Sequence, residues 1–272
     1  MNHVLITAGS AVMPVAPGLY MTGENTGVLA KAVALRLMYL ESRGLFEGTV
    51  HYLHSLTAEK PPRRPWLKQI PFRTADELLE KMMKTMDAHP CLAVVHFSEV
   101  PEYAPDAPAK AEDIAMSIGR AQAEIGACLA YDDLLDAVSN APDASDPDGS
   151  LPFLEPNLLL RMRQNPRISG GIKDASPGSV VFLRKAYRNI DRKDMLREAA
   201  IARQGATADY VVAHDEDRSV RGRMEYALIG RSREPGNPGS VFGAYDSATK
   251  TAADIADIIL DAMRKRGDDG HE

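Results

Sequence analysis

Short apolar, β-branched runs that alternate with amphipathic helical stretches constrain the fold of this 272-residue chain most strongly. The first run covers residues 3–9, and similar runs follow at 49–56, 67–72, 91–98, 178–183, 208–214 and 224–230. Helical spacing of apolar residues begins near Val28 and recurs at 78–86, 191–203 and about 247–266. Several runs are apolar on both faces, which is typical of parallel strands covered on both sides. The pattern therefore predicts an α/β fold with a mainly parallel sheet covered by helices on both faces.

Charge and apolar patterning exclude several classes of protein. The chain carries 32 Lys and Arg against 38 Asp and Glu, a formal net charge of −6, so we expect no nucleic-acid partner, which would require a basic surface. No apolar run approaches the ~20 residues that span a bilayer, so we expect no membrane partner. The N-terminus has no secretory signal pattern, and Cys91 and Cys128 match no disulfide framework or metal spacing. These features favour a cytoplasmic setting.

The chain length fits one large α/β domain over residues 1–272, with a helical or loop insertion at about 104–152. Helical spacing runs from about 110 to 138 within this insertion. Residues 139–152 are polar and contain three prolines and a glycine, which predicts a flexible loop.

Parallel sheets bind ligands outside the carboxyl ends of their strands, so functional residues are expected after residues 9, 98, 183 and 214. Gly9 and Ser10 follow the first strand, and a loop with Gly23, Thr26 and Gly27 leads into the first helix. The free N–H groups at such a helix start can hold a phosphate. The glycine spacing matches neither GxGxxG nor a Walker A loop, so an ordinary capped helix start stays the alternative.

Several polar residues also end predicted strands. His96 and Glu99 end one strand, with Glu102 after them, and a carboxylate there suits a ligand hydroxyl or Mg²⁺; solvated loop carboxylates are the alternative. His214 and Asp215 end another strand, where a histidine bonded to a neighbouring carbonyl is the alternative.

Other residues offer less specific signals. Arg197 and Arg203 suit a triphosphate, or belong to a solvated helix face. His51 and His54 are three residues apart on a predicted strand and face opposite sides, which makes them poor joint metal ligands. No residue is predicted as a metal ligand.

Eight segments resemble, in the same order, motifs of the phosphopantothenoylcysteine synthetase family. They are VLITAG (4–9), the loop 14–27, VVHFSEVPEY (94–103), LEPNLLL (154–160), SVVFLRKA (179–186), ADYVVAHD (208–215), MEYALI (224–229) and SATKTAADIADIILDAM (247–263). The resemblance runs nearly end to end and implies a Rossmann-like three-layer fold.

The resemblance implies a ligase that activates the carboxylate of a phosphorylated pantothenate with CTP or ATP and Mg²⁺, releases pyrophosphate and joins cysteine through an amide. It also implies small carboxylate and amine substrates and a homodimer; a flavin is an alternative that no motif supports. By position, the residues implied to contact the nucleotide are Gly9, Ser10, Gly23, Thr26, Gly27, His96, Phe97, Ser98, Glu102, Asn157, Phe182, Lys185, Arg197 and Arg203. The implied catalytic residues are Asn25, His214 and Asp215. Replacing Phe182 with alanine is expected to weaken nucleotide binding and leave the fold intact.

The chain departs from the family pattern in both halves of the implied site. Gly23 stands where the family has an asparagine, and Asn25 lies two residues away. The family's lysine-rich motif is absent, and His214 replaces another family asparagine. Three hypotheses follow: a carboxylate–amine ligase, a relative that lost this reaction and binds a nucleotide or flavin in another pathway, and a non-catalytic subunit that pairs through the family's dimer surface.

Overall fold

The computed structural model describes residues 2–16, 19–126, 130–143, 158–165, 167–215, 226–231 and 240–268. Asn157 and Cys128, both named above, lie outside these ranges. The chain divides into two compact units. The first contains Met1–Ala11, Gly23–Val100 and Pro166–Glu272, and the second contains Val12–Thr22 and Pro101–Asn165. The organisation as a single domain stays a prediction.

The strands described are β1 (Asn2–Ala8), β2 (Val12–Ala16), β3 (Leu19–Thr22), β4 (Gly48–His54), β5 (Leu67–Pro71), β6 (Cys91–His96), β7 (Tyr103–Lys110), β8 (Leu158–Gln164), β9 (Val180–Tyr187), β10 (Tyr210–Asp215), β11 (Tyr226–Gly230) and β12 (Ser240–Tyr245). The helices described are α1 (Val28–Ser42), α2 (Ala75–Ala88), α3 (Ala111–Ile125), α4 (Tyr131–Ser139), α5 (Ile168–Ala175), α6 (Arg192–Gly205) and α7 (Ala248–Asp268).

The first unit is built on an eight-stranded sheet in the order β12-β11-β10-β9-β6-β1-β4-β5. The strands from β5 to β10 in this order are parallel to one another. β11 pairs antiparallel with β10, and β12 pairs antiparallel with β11. The predicted α/β fold with a mainly parallel sheet is therefore confirmed.

Helices cover both faces of this sheet, because successive strand residues point to opposite sides. On one face, Val4 and Ile6 of β1 pack in an apolar cluster with residues of α1 and α7. On the other face, Leu5 packs in a second cluster with residues of α2, α5 and α6. The prediction of a sheet covered by helices on both faces is confirmed, because each face packs in its own apolar core.

The second unit holds two antiparallel strand pairs, β2 with β3 and β7 with β8, together with α3 and α4. The helical expectation for 110–138 is confirmed by α3 and α4. The expectation of loops was wrong at two places. The loop expected at 14–27 contains β3 and the end of β2, and the helical or loop insertion expected at about 104–152 begins with β7. β8, β12 and α5 were not anticipated from the sequence.

Candidate functional site

The direction in which strands are added to the sheet reverses between β1 and β6. From β1 the chain adds β4 and β5 on one side, then crosses through α2 to place β6 on the other side of β1. Open α/β sheets bind ligands at such a switch point, in the crevice outside the carboxyl ends of the strands. The residues after Ala8 and His96 therefore define the candidate site of the first unit.

A tight turn at Gly9 brings the carboxyl end of β1 next to that of β6. Gly9 has φ +83°, and a side chain there would collide with Ser55 and Ala58. Its carbonyl accepts the N–H of Glu99 at 2.9 Å, and the carbonyl of Glu99 accepts the N–H of Ala11 at 2.9 Å. The backbone after β1 is thus held against the backbone after β6.

Ser10, Glu99 and Asn25 form a hydrogen-bonded cluster at this point. The fully buried Ser10 hydroxyl donates to Glu99 Oε2 at 2.9 Å, and the Asn25 N–H lies 3.1 Å from Ser10 Oγ and 3.2 Å from Glu99 Oε2. A Cβ at Gly23 would lie 2.5 Å from Glu99 Cδ. The Glu99 carboxylate therefore occupies the space that a side chain at residue 23 needs.

The side chain of Asn25 is used to hold the start of helix α1. Its Nδ2 donates to the carbonyl of Phe97 at 2.7 Å, and its Oδ1 accepts the N–H of Gly27 at 3.0 Å. Because both ends of the amide bond to the chain itself, this geometry favours a positioning role, and the catalytic role of Asn25 stays a prediction.

Helix α1 begins at the crevice and suits an anion. Gly27, its N-cap residue, has φ +75° and carries no side chain of its own that could accept an N–H group of the first turn. The N–H groups of a first helical turn have no intrahelical acceptor and carry partial positive charge. Thr26 is exposed beside them. This arrangement is compatible with the predicted phosphate contact.

His96, Phe97 and Ser98 extend β6 into the same crevice. His96 Nδ1 lies 2.9 Å from Thr7 Oγ1, which accepts the N–H of Ser98 at 3.0 Å. Burial first, and then the charge of Lys185, lower the pKa of His96 from 6.5 to about 4, so the ring is neutral at pH 7. Ser98 Oγ is buried and has no hydrogen-bond partner within the described ranges. Phe97 is buried in the core.

His214 and Asp215 lie along the same edge of the sheet at the end of β10, separated from β6 by β9. Both are buried. Arg184 Nη2 donates to His214 Nε2 at 2.5 Å, and the His214 ring lies against Tyr226 with centroids 5.4 Å apart. Lys185 is exposed on β9 between these strands. Their catalytic and nucleotide-binding roles stay predictions.

Two residues lie away from this edge. Phe182 is fully buried near the amino end of β9, where it stacks on Tyr210 with centroids 5.1 Å apart. The expectation that its removal leaves the fold intact is therefore wrong, because the ring is part of the apolar core. Arg203 lies in the last turn of α6, at the opposite edge of the sheet, and donates to the carbonyl of Ala208 at 3.1 Å. It does not join the crevice.

The remaining predicted residues offer less to a ligand. Arg197 is exposed on α6 and pairs with Asp194 at 3.2 Å and Glu198 at 3.4 Å. Glu102 is exposed in the second unit, and its carbonyl accepts the N–H of Asn165 at 2.9 Å. No cluster of three potential metal ligands that suits an ion occurs within the described residues. Among the helices described, none combines the length and hydropathy of a bilayer span.

Sequence reasoning did not include the contact between Glu99 and Gly23. The available signal was the coincidence of a glycine in the loop with a glutamate after β6, and neither is distinctive alone. Their contact depends on the turn at Gly9, which brings together residues 76 positions apart. The pattern of hydrophobic residues does not report such a pairing.

The mainly parallel sheet, covered by helices on both faces, with a helix start at its switch point, places the chain among Rossmann-like α/β proteins. No protein-family model matches the sequence, and no curated protein matches it.

Solved structures identify the fold more closely. The DNA/pantothenate metabolism flavoprotein from Streptococcus pneumoniae matches with a TM-score of 0.71 and 16% identity, over 98% of this chain and 99% of that one. The C-terminal domain of the coenzyme A biosynthesis bifunctional protein CoaBC matches with a TM-score of 0.62 and 14% identity, over 97% and 96%. A Cab2 mutant complexed with phosphopantothenate-cysteine matches with a TM-score of 0.63 and 12% identity, over 100% and 89%. The chain thus has the fold of these proteins, as the resemblance implied.

Proposed function

We propose that the chain is a nucleotide-dependent ligase that joins a carboxylate to an amine through an acyl-nucleotide, with CTP or ATP bound outside β1 and β6. The observation that carries this proposal is the start of α1 at the switch point, together with Ser98 Oγ after β6, which is buried and has no hydrogen-bond partner among the described residues. Helix N–H groups are suited to a phosphate, and a buried hydroxyl without a partner costs free energy until a ligand bonds to it. Structures of similar fold include one bound to phosphopantothenate-cysteine.

For the proposed ligation, the chain mainly has to align the two reactants and to neutralise the charge of the phosphates. In this proposal, Gly9 and Gly27 let the backbone approach the phosphates, and the N–H groups of α1 receive them. His96, which is neutral, is held by Thr7 next to Ser98 and adds no positive charge. Mg²⁺ bound to the nucleotide would neutralise part of the charge of its phosphates.

The first experiment measures thermal unfolding with CTP or ATP and Mg²⁺, and pyrophosphate release with phosphopantothenate and cysteine. A ligand at one hundred times its dissociation constant stabilises the folded state by about 2.7 kcal/mol. We expect one nucleotide to raise the melting temperature, and pyrophosphate to appear only when the carboxylate is present. Absence of both effects would refute the proposal.

A pair of variants locates the nucleotide. Ser98→Ala removes a hydroxyl that makes no hydrogen bond within the described part of the chain, so we expect an intact fold and weaker nucleotide binding by about three- to tenfold. Ser42→Ala, at the other end of α1, removes an exposed hydroxyl and should leave binding unchanged. Equal affinities in the two variants would contradict the placement at the switch point.

A second candidate is a protein that binds a nucleotide without the ligation step. It is favoured by Glu99, whose carboxylate fills the space beside Gly23 where the family carries an asparagine, and by Asn25, whose amide is already bonded. A melting shift with CTP or ATP but no pyrophosphate with any carboxylate would support it over the ligase. The homodimer and the cytoplasmic location remain predictions of the resemblance and the composition.

A further inference from the structure

A groove of about 830 Å³ opens in the first unit at the edge of the sheet opposite the switch point. Its floor is formed by the amino ends of β9 and β10, and its walls by β12 and the last turns of α6 and α7. A volume of this size matches sites for small organic molecules. None of the residues placed at the switch point lines it.

The charges of the groove favour an anion. Its two carboxylates are already paired with cations that do not line it: Asp209 with Lys173 at 2.7 Å, and Asp261 with Arg264 at 3.0 Å. Val181 also donates its N–H to Asp209 Oδ2 at 2.8 Å. The cations that line the groove are therefore not paired with its carboxylates, and their positive charge is available to a ligand.

Three basic side chains supply that positive charge. Arg203 is 9% exposed at the end of α6. Arg231 and Lys265 are both exposed and make no ion pair within the described part of the chain. Guanidinium and ammonium groups bind phosphate and carboxylate oxygens through charge-assisted hydrogen bonds.

An aromatic wall faces the same space. Tyr210 stacks on Phe182 and meets the edge of Phe242 with centroids 5.4 Å apart. Phe242 is 54% exposed, and it lines the groove beside the basic groups. Burial and the nearby Asp209 and Asp261 raise the pKa of Tyr210, so its ring stays neutral.

We propose that this groove is a second ligand site, which takes an aromatic anion: a flat apolar ring packed on Tyr210 and Phe242, with a phosphate or carboxylate group on Arg231 and Lys265. It is separate from the nucleotide site proposed above, since it lies at the other ends of the strands. Ring packing supplies affinity, and the two cations supply preference for a negative group.

The test is calorimetric titration of the full chain with 1-naphthyl phosphate, 1-naphthol and inorganic phosphate. We expect 1-naphthyl phosphate to bind at least about tenfold more tightly than either of the others, because only this compound has both a ring for the aromatic side chains and an anionic group for the basic ones. Arg231→Gln and Lys265→Gln should each weaken its binding about three- to tenfold. Arg266→Gln is the matched control, an exposed cation on the same helix outside the groove, and should leave affinity unchanged.

A variant at the switch-point edge separates this site from the nucleotide site. Lys185→Gln should leave the affinity for 1-naphthyl phosphate unchanged. The proposal is overturned if naphthol binds as tightly as its phosphate, if no compound binds, or if Lys185→Gln weakens binding while Arg231→Gln and Lys265→Gln do not. The last result would assign the anion to the switch point.

Discussion

At the scale of single residues, the Glu99 side chain occupies the space that any side chain at Gly23 would need. Glu99 is held by Ser10 and the N–H of Asn25, so it cannot leave its place without breaking those hydrogen bonds. Gly23→Asn, which introduces the residue that the resemblance to the synthetase family implies at this position, should displace the carboxylate and lower the free energy of unfolding by about 1–3 kcal/mol. Urea unfolding at pH 7 measures the change.

The coupling has a direct test in a double-mutant cycle. In a Glu99→Ala background the same Gly23→Asn change should cost less, because the obstructing carboxylate is gone. Gly178→Asn is the control, since a side chain at Gly178 meets nothing within 4 Å. An equal cost of Gly23→Asn in both backgrounds would show that Glu99 does not set the preference for glycine.

A cluster of three histidines, His3 on β1, His51 on β4 and His89 before β6, makes stability depend on pH. His51 is buried, its Nε2 lies 3.2 Å from His3 Nδ1, and its ring stacks on His89 with centroids 4.9 Å apart. Burial first, and then the charges of His89 and His3, lower the pKa of His51 from 6.5 to about 4.

The sign of the pH dependence follows from that lowered pKa. Between pH 6.5 and about 4, His51 is protonated in the unfolded chain but not in the folded chain. The contribution of His51 to the free energy of unfolding is therefore complete above pH 6.5 and decreases as the pH falls toward 4. One such group contributes a slope of at most about 1.4 kcal/mol per pH unit. His51→Gln should flatten the fall of the unfolding free energy, measured in urea from pH 7 to 4.5. If the unfolding free energy of the variant depends on pH as steeply as that of the parent chain, His51 is not the source of the pH dependence.

At the scale of elements, local signals predicted the covered strands and helices well. The helical spacing at 78–86 corresponds to α2, which Thr74 caps by accepting the N–H of Glu77 at 3.2 Å. The Glu77 side chain, however, accepts the N–H of Arg73 instead of closing a capping box on Thr74.

Strands with little buried surface escaped the sequence reasoning. β7 contains Pro105 and Pro108, which argue against a strand, yet it pairs with β8 in a two-stranded ribbon where both strands are edges. β12 lies at the edge of the main sheet, and half of its residues are exposed. Burial gives a strand its apolar pattern, so strands without burial lack the signal that sequence analysis detects.

The core position of Phe182 makes a prediction for strand β9. Phe182→Ala should lower the free energy of unfolding by about 3–5 kcal/mol, because it leaves a cavity against Tyr210. Phe242→Ala, which removes a ring that is 54% exposed and also contacts Tyr210, should cost clearly less. Denaturant unfolding of both variants measures the difference, and equal costs would contradict the assignment of Phe182 to the core.

At the scale of the whole molecule, the order of elements along the chain was enough to predict the layered α/β fold. It also predicted that loops after parallel strands share one edge, and Gly9, Ser10, His96 and Ser98 do so. It could not predict the place of Arg203, because a helix residue is near either edge depending on how far along the helix it lies. Strand ends carry positional information that helix interiors lack.

The sheet order predicts a gradient of stability across the first unit. The strands β1 and β6 lie between neighbours on both sides, and all residues of β6 are buried, whereas β12 is an edge strand with exposed residues. Amide hydrogens of Leu5 and Val94 should therefore exchange only through global unfolding, while those of β12 exchange through local opening at a lower free energy. Native-state hydrogen exchange under increasing denaturant measures both. If β12 exchanged as slowly as β1, with the same dependence on denaturant, the sheet would open only as one cooperative unit and the gradient would be wrong.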